Sequence, residues 1–281
     1  MRQKKEKTKN EKKAVFPRRQ FSSKKREPEV EEKHISTPKL YPEELNEQLL
    51  EAARGGNTKK IENLIRLGAK VNTIDNDGNT ALIRAADKGH TNACKLLIEK
   101  GAEVNIQNKG GNTALIYAAG NGHTETYKLL IKNGAEVNAK NIGGGTPLMY
   151  ATMSGYAEAY RFLVEHGADV NAAMNGGDTP LMMAALWKRT DVIRYLLSVG
   201  ANPLLKNKRG ETAYGLAAYD LTEKENWNDR IRKEEIKQII KAFERLWKRI
   251  GPENIVEFIS KVTVPVKNCS PSEVKEIFEK L

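Results

Sequence analysis

The chain has 281 residues, 39% hydrophobic but only 6% aromatic, with 22 glycines, so its core must use small aliphatic side chains and its elements must be short. The formal charge of +11 is uneven: residues 1–39 hold 14 Lys or Arg against 6 Asp or Glu, a net of +8, which leaves +3 for the rest. No run approaches the roughly 18 apolar residues of a membrane helix, and the N-terminus lacks the apolar core of a secretory signal. A soluble intracellular protein is expected, cytoplasmic, or nuclear where the cell has a nucleus.

The first segment, residues 1–39, is Lys-rich and too poor in apolar residues to pack, so a disordered basic tail is predicted. Arg18-Arg19 followed by Lys24-Lys25-Arg26 resembles a split nuclear-import signal. The same cations could bind nucleic acid or an anionic surface, weakly and with strong salt dependence.

From about residue 40 to 220 the sequence repeats. Thr80, Thr113, Thr146, Thr179 and Thr212 are spaced 33 residues apart, as are Gly78, Gly111, Gly144, Gly177 and Gly210. A third series in phase, Gly68, Gly101, Gly134, Gly167 and Gly200, is followed each time by Ala. Internal periodicity of this kind predicts a repeat array. The glycine before each threonine suits a tight turn, and the threonine suits a helix N-cap. Pro147 and Pro180 then occupy the first helical position, which tolerates proline.

Leu82, Ala85 and Ala86, with Leu115, Ala118 and Ala119, predict a narrow apolar stripe on a first helix, which Gly89, Gly122 and Gly155 end. A second helix carries Leu96, Leu97 and Ile98, then Leu129, Leu130 and Ile131, and stops at Gly101 and Gly134. An extended link such as Glu103-Val104-Asn105 is expected to lead to the next turn.

Gly78-Asn79-Thr80-Ala81-Leu82, then Gly89-His90, then Gly101-Ala102-Glu103-Val104-Asn105, resembles the ankyrin repeat. The likeness departs from the family's Thr-Pro-Leu-His signature, whose histidine position holds Ile83, Ile116, Met149 and Met182. The fold it implies is an all-α ankyrin-repeat solenoid with β-turn tips. Residues 44–75 would be the N-capping repeat, followed by repeats 76–108, 109–141, 142–174 and 175–207 and a partial repeat from 208. Asp220 to Arg230 reads as an inserted polar loop. Ile231, Ile236, Ile239, Ile240, Phe243, Leu246, Trp247 and Ile250 predict a longer helix that Gly251-Pro252 breaks, within a helical C-terminal cap over 221–281. Two short helices are expected there, at about 252–261 and 271–281.

No catalytic constellation accompanies the repeats, and no cofactor is expected. The histidines are His34, in the tail, His90 and His123, at one repeat position, and His166. No Cys or His pair has zinc spacing, and Cys94 and Cys269 are isolated, so neither a metal site nor a disulfide is predicted. Gly143-Gly144-Gly145-Thr146 lacks the lysine and spacing of a phosphate loop and reads as a repeat turn.

What remains is a binding face. The family resemblance implies that turn tips and first helices form a concave strip for a protein partner. On the helices this strip reads Arg84, Asp87 and Lys88, then Tyr117 and Asn121, then Tyr150, Met153 and Ser154, then Met183, Leu186 and Trp187. The tips add Asn76, Asp77, Asn79, Lys109, Asn112, Ile142, Asn175, Asp178, Lys208, Arg209 and Glu211. The strip passes from polar to aromatic and methionine-rich, a composition typical of interface hot spots. Two bland alternatives stand beside it: the C-terminal helices fold over Trp187, or stacking between repeats consumes Tyr117 and Tyr150. A non-enzymatic scaffold, monomeric and bound to an unidentified protein, is the expected function, with nucleic-acid or anionic-surface binding by the tail as the alternative.

Overall fold

The computed structural model describes residues 41–218, 227–251 and 254. The basic tail, Cys269 and, apart from Asn254, the two helices expected after Gly251 lie outside the described residues.

Among the described residues there are twelve helices and no strand, only one isolated bridge between Ile74 and Thr80. They come as pairs: α1 (Pro42–Arg54) with α2 (Thr58–Arg66), α3 (Ala81–Asp87) with α4 (Thr91–Glu99), and α5 (Ala114–Gly120) with α6 (Thr124–Lys132). Then follow α7 (Pro147–Ser154) with α8 (Ala157–Glu165), α9 (Pro180–Leu186) with α10 (Thr190–Ser198), and α11 (Ala213–Leu216) with α12 (Trp227–Ile250). The first members stack in series from α1 to α11, forming an inner row, and α2, α4, α6 and α8 stack as an outer row.

The inner helices begin where the threonines dictate. Thr80, Thr113, Thr146, Thr179 and Thr212 each accept, through Oγ1, the N–H of the residue three further on, at 3.1, 3.3, 3.4, 3.4 and 3.3 Å. One orphan first-turn donor is thereby satisfied in each helix. All the threonines but Thr212 are buried, so the caps belong to the core rather than to the surface.

The inner helices are short, and their stacking faces are small. Ala85, Ala86, Ala118, Ala119, Ala151, Ala184 and Ala185 are fully buried, and a side chain on Gly120 would crowd Tyr150 Cβ at 3.2 Å. The outer helices add Leu97, Leu130, Leu163 and Leu196, all fully buried. Ile83, Ile116, Met149 and Met182 are buried too, so an apolar side chain fills the place of the signature histidine.

Two elements differ from expectation. The link after each outer helix is turned, not extended, at Val104-Asn105, because the asparagine side chain bridges to the next unit. Asn105 donates to Gly134 O at 2.9 Å and accepts from Glu136 N at 2.9 Å. Asn72, Asn138 and Asn171 repeat that two-way bridge.

The other difference is that α12 starts at Trp227, so residues 227–230, read as loop, form its first turn. Polar composition misled there, because Asn228 and Asp229 are weak formers of a helix interior, yet an acidic residue is favourable in a first turn and Arg230 opens a run of better helix formers. Further along α12, Ile236, Ile239, Ile240, Phe243, Leu246 and Trp247 are buried and the helix packs on α10 and α11. Arg194 clamps it to α10 through Glu235 at 2.8 Å.

Candidate functional site

The tips and inner helices that carry the candidate strip are tied together by side chains nine residues apart. Asp75 holds Arg84, whose Nε donates to Oδ2 at 2.6 Å. Burial would raise the Asp75 carboxyl, but hydrogen bonds from Asn79, Arg84 and the Asp77 N–H outweigh it and hold the group below its ordinary value. In the next two units Asn108 and Asn141 donate Nδ2–H to the hydroxyls of Tyr117 and Tyr150 at 3.1 and 2.7 Å. In the fourth unit the same positions hold Met174 and Met183, which cannot make that bond.

A second rung runs from tip to tip. Asn108 Nδ2 also donates to Asn79 Oδ1 at 2.8 Å, Asn141 to Asn112 at 2.9 Å, and Asn207 to Asp178 at 2.7 Å. Between the third and fourth tips both partners are missing at once, replaced by Gly145 and Met174. Asn175 bridges the gap instead, its N donating to Gly143 O at 2.9 Å and its Nδ2 to Ile142 O at 2.7 Å.

At the other end of the inner helices a different series bridges the units. His90 and His123 donate from Nε2 to the carbonyls of Arg54 and Asp87 at 3.0 and 2.9 Å, which fixes the proton on that nitrogen. Each ring lies against a glycine of the preceding unit: a Cβ on Gly56 or Gly89 would meet it at 2.7 or 2.5 Å. Tyr156 takes the same place over Gly122, and Arg189 over Gly155, with Arg189 Nε donating to Met153 O at 3.1 Å. These histidines are architectural. His166 is likewise held, stacked on Phe162 with its Nδ1 at 2.8 Å from Phe162 O.

The candidate residues therefore divide. Tyr117 and Tyr150 are half-buried with their hydroxyls engaged, and Arg84 is engaged by Asp75. Asp87 receives Asn121 Nδ2 at 3.0 Å and Lys88 at 2.9 Å, and Ser154 donates to Gly120 O at 2.8 Å. Asn79, Asn112 and Asp178 are ladder members, while Asn175 donates to Ile142 O at 2.7 Å. Arg209 pairs with Glu211 at 2.6 Å.

Asn76, Asp77, Lys109 and Lys208 are exposed at their tips. The apolar members gather toward the C-terminal half: Ile142 is 70% exposed and Trp187 44%, with Met153, Met183 and Leu186 half-buried on α7 and α9. The packing of α12 is against α10 and α11, and Trp187 is left exposed. Arg18, Arg19, Lys24, Lys25 and Arg26 lie outside the described residues.

Sequence reasoning passed over Met174, Lys188 and Arg189. Lys188 has φ 54, the one non-glycine with positive φ among the described residues, at the register of Gly89, Gly122 and Gly155. Carrying that glycine series one unit further would have found it.

Reactive chemistry is meagre. Burial pushes the Cys94 thiol up to about 12, so it stays protonated and inert at neutral pH. Among the described residues no three His, Cys, Asp or Glu side chains could together hold a metal ion. No helix among them is long and apolar enough to cross a membrane.

Capped helix pairs, bridged unit to unit and varying at their tips, define a repeat solenoid whose variable face is the inner row and its turns. The family model described as ankyrin repeats, three copies, matches residues 49–141 and 140–207, and the chain belongs to the ankyrin-repeat family. Such repeats are generally protein–protein interaction modules, and the family is typically non-enzymatic. No curated protein matches this chain.

Proposed function

We propose that this protein is a non-enzymatic scaffold that captures a partner protein on the strip formed by its tips and inner helices. The observation that carries this reading is the placement of apolar side chains where the repeat does not need them. Trp187 and Ile142 are exposed, and Met153 and Met183 are half-buried on the same inner row. Aromatic and methionine side chains of this kind dominate interface energetics, because they bury large area and adapt to irregular surfaces.

A second reading rests on the +8 net charge of residues 1–39, which favours a salt-sensitive contact with nucleic acid or another anionic surface through Arg18, Arg19, Lys24, Lys25 and Arg26. One experiment tests both. Affinity capture from a native lysate is run with the wild type, with Ile142→Asp/Met153→Glu/Met183→Glu, and with the five tail cations changed to Gln. Each is run at low and high salt. Loss of a captured protein in the strip variant, with helical circular dichroism unchanged, is the expected result. Identical captured sets from wild type and strip variant reject the strip. Nucleic acid retained by the tail variant at low salt rejects the second reading.

A further inference from the structure

Three asparagines of the chain precede glycine: Asn121, Asn133 and Asn175. Asparagine is a thermolabile residue, and a following glycine makes it most prone to deamidate, because without a Cβ the next backbone nitrogen reaches the side chain freely. All three asparagines are exposed, so exposure does not separate them. The next backbone N–H does. Asn121 and Asn133 are the C-caps of α5 and α6, and the N–H groups of Gly122 and Gly134 donate to Ala119 O and Ile131 O at 3.3 and 3.1 Å.

Gly176 N–H has no acceptor among the described residues. Met174 is the reason. In three other tips the residue two positions earlier supplies an oxygen: Asp75 Oδ1 accepts from Asp77 N at 2.8 Å, Asn108 Oδ1 from Gly110 N at 2.9 Å, and Asn207 Oδ1 from Arg209 N at 3.0 Å. The thioether of Met174 offers no such oxygen. Gly176 is also outside the set of glycines with left-handed backbone, and a Cβ there would meet only the end of the Asp178 side chain, Oδ2 at 3.0 Å.

We infer that Asn175 is a spontaneous deamidation site, and that its conversion uncouples the third tip from the fourth. Gly176 N loses its proton to solvent and bonds to Asn175 Cγ; the Cγ–Nδ2 bond breaks and ammonia leaves. Water then opens the cyclic imide at either carbonyl, giving aspartate or isoaspartate. The side chain of Asn175 is restrained by one neutral hydrogen bond at an exposed tip, which opens often over the days such a reaction takes.

That bond is also what the conversion destroys. Asn175 Nδ2–H bridges to Ile142 O at 2.7 Å, where Gly145 and Met174 replace the side-chain rung of the other tips. A carboxylate has no hydrogen to donate and sets a negative charge against that carbonyl oxygen. Isoaspartate further lengthens the main chain by one carbon between two ties, Asn175 N to Gly143 O and Lys208 N to Gly176 O, both at 2.9 Å. This chemistry is independent of the reading that the strip binds protein.

The test holds the full chain at pH 8 and 37 °C for several weeks. Peptide mapping by mass spectrometry follows acid formation at each asparagine, and enzymatic methylation counts isoaspartate. Acid at Asn175 is expected to accumulate about tenfold or more faster than at Asn121 or Asn133. Gly176→Ala should keep the wild-type melting temperature and slow conversion by about tenfold. Met174→Asn restores the oxygen of the neighbouring tips, creates no further pair with glycine, and should slow conversion too. Asn175→Asp, a direct mimic, should lower the urea midpoint and speed amide exchange at position 175 and at Lys208.

Absence of acid at Asn175, or conversion as fast at Asn121 or Asn133, overturns the site. An unchanged rate in Gly176→Ala overturns the imide route, and an unchanged rate in Met174→Asn overturns the role given to the missing acceptor. Wild-type midpoint and exchange in Asn175→Asp overturn the uncoupling.

Discussion

Gly122 and Gly134 both hold left-handed backbone, at φ 71 and φ 85, yet they face different surroundings. A Cβ on Gly122 would meet the Tyr156 ring at 2.5 Å, close to where the ring joins its chain, while nothing lies within 4 Å of one on Gly134. Gly134→Ala therefore isolates the conformational cost, about 1–2 kcal/mol. Gly122→Ala adds the displacement of a packed ring, on the order of a further 1–3 kcal/mol. Urea midpoints of the two variants should differ in that order; equal midpoints would mean that Tyr156 moves aside without cost. The contrast also bears on Lys188, which carries the conformational part of this cost in the native protein.

At the scale of the element, the tip of the first full unit is an ionic version of a turn that its neighbours build from amides. Hydrogen bonds hold the Asp75 carboxyl below its ordinary value despite burial. A carboxylate depressed in the folded state stabilises above its unfolded pKa, and that contribution is lost as pH falls through the folded one. Asp75→Asn keeps the amide-type turn of Asn108 and Asn141 but loses the charge pair with Arg84, so it should be less stable than wild type at pH 7. The gap should close as pH drops below about 4, in the ordinary carboxylate range. Urea denaturation from pH 7 to pH 3 checks this, and a gap independent of pH would assign the difference to packing.

The same tips show how far the sequence was readable. The threonine caps and stop glycines could be read because one residue type recurs for one physical reason. The pairs Asp75 with Arg84, Asn108 with Tyr117, and Asn141 with Tyr150 could not, because the chemistry changes from copy to copy while the geometry stays constant. Tyr117 and Tyr150 therefore read as free aromatics, although each hydroxyl accepts a hydrogen bond from its own tip. The exposed candidates, Ile142 and Trp187, were readable because nothing periodic required them. Lys188 was hidden by being a common surface residue at a position that only register marks as a glycine site.

Over the whole molecule, each unit is stabilised chiefly by its neighbours, so the ends of the array decide how it opens. The last inner helix, α11, spans only Ala213–Leu216 and cannot close the stack by itself. α12 closes it, burying Ile236, Ile239 and Ile240 against α10 and α11. Ile240→Ala removes a fully buried side chain at that closure and should cost about 2–5 kcal/mol locally. In a nearest-neighbour array the loss is not shared evenly. Amide exchange should accelerate in α10, α11 and α12, while α3 to α6, several interfaces away, keep their protection. Leu130→Ala, equally buried but central, should instead weaken units on both sides. Uniform loss of protection in Ile240→Ala would mean that the array opens as one cooperative body. The exposed Trp187 at the end of α9 would then feel every change at the C-terminal end, rather than being insulated from all but its nearest neighbours.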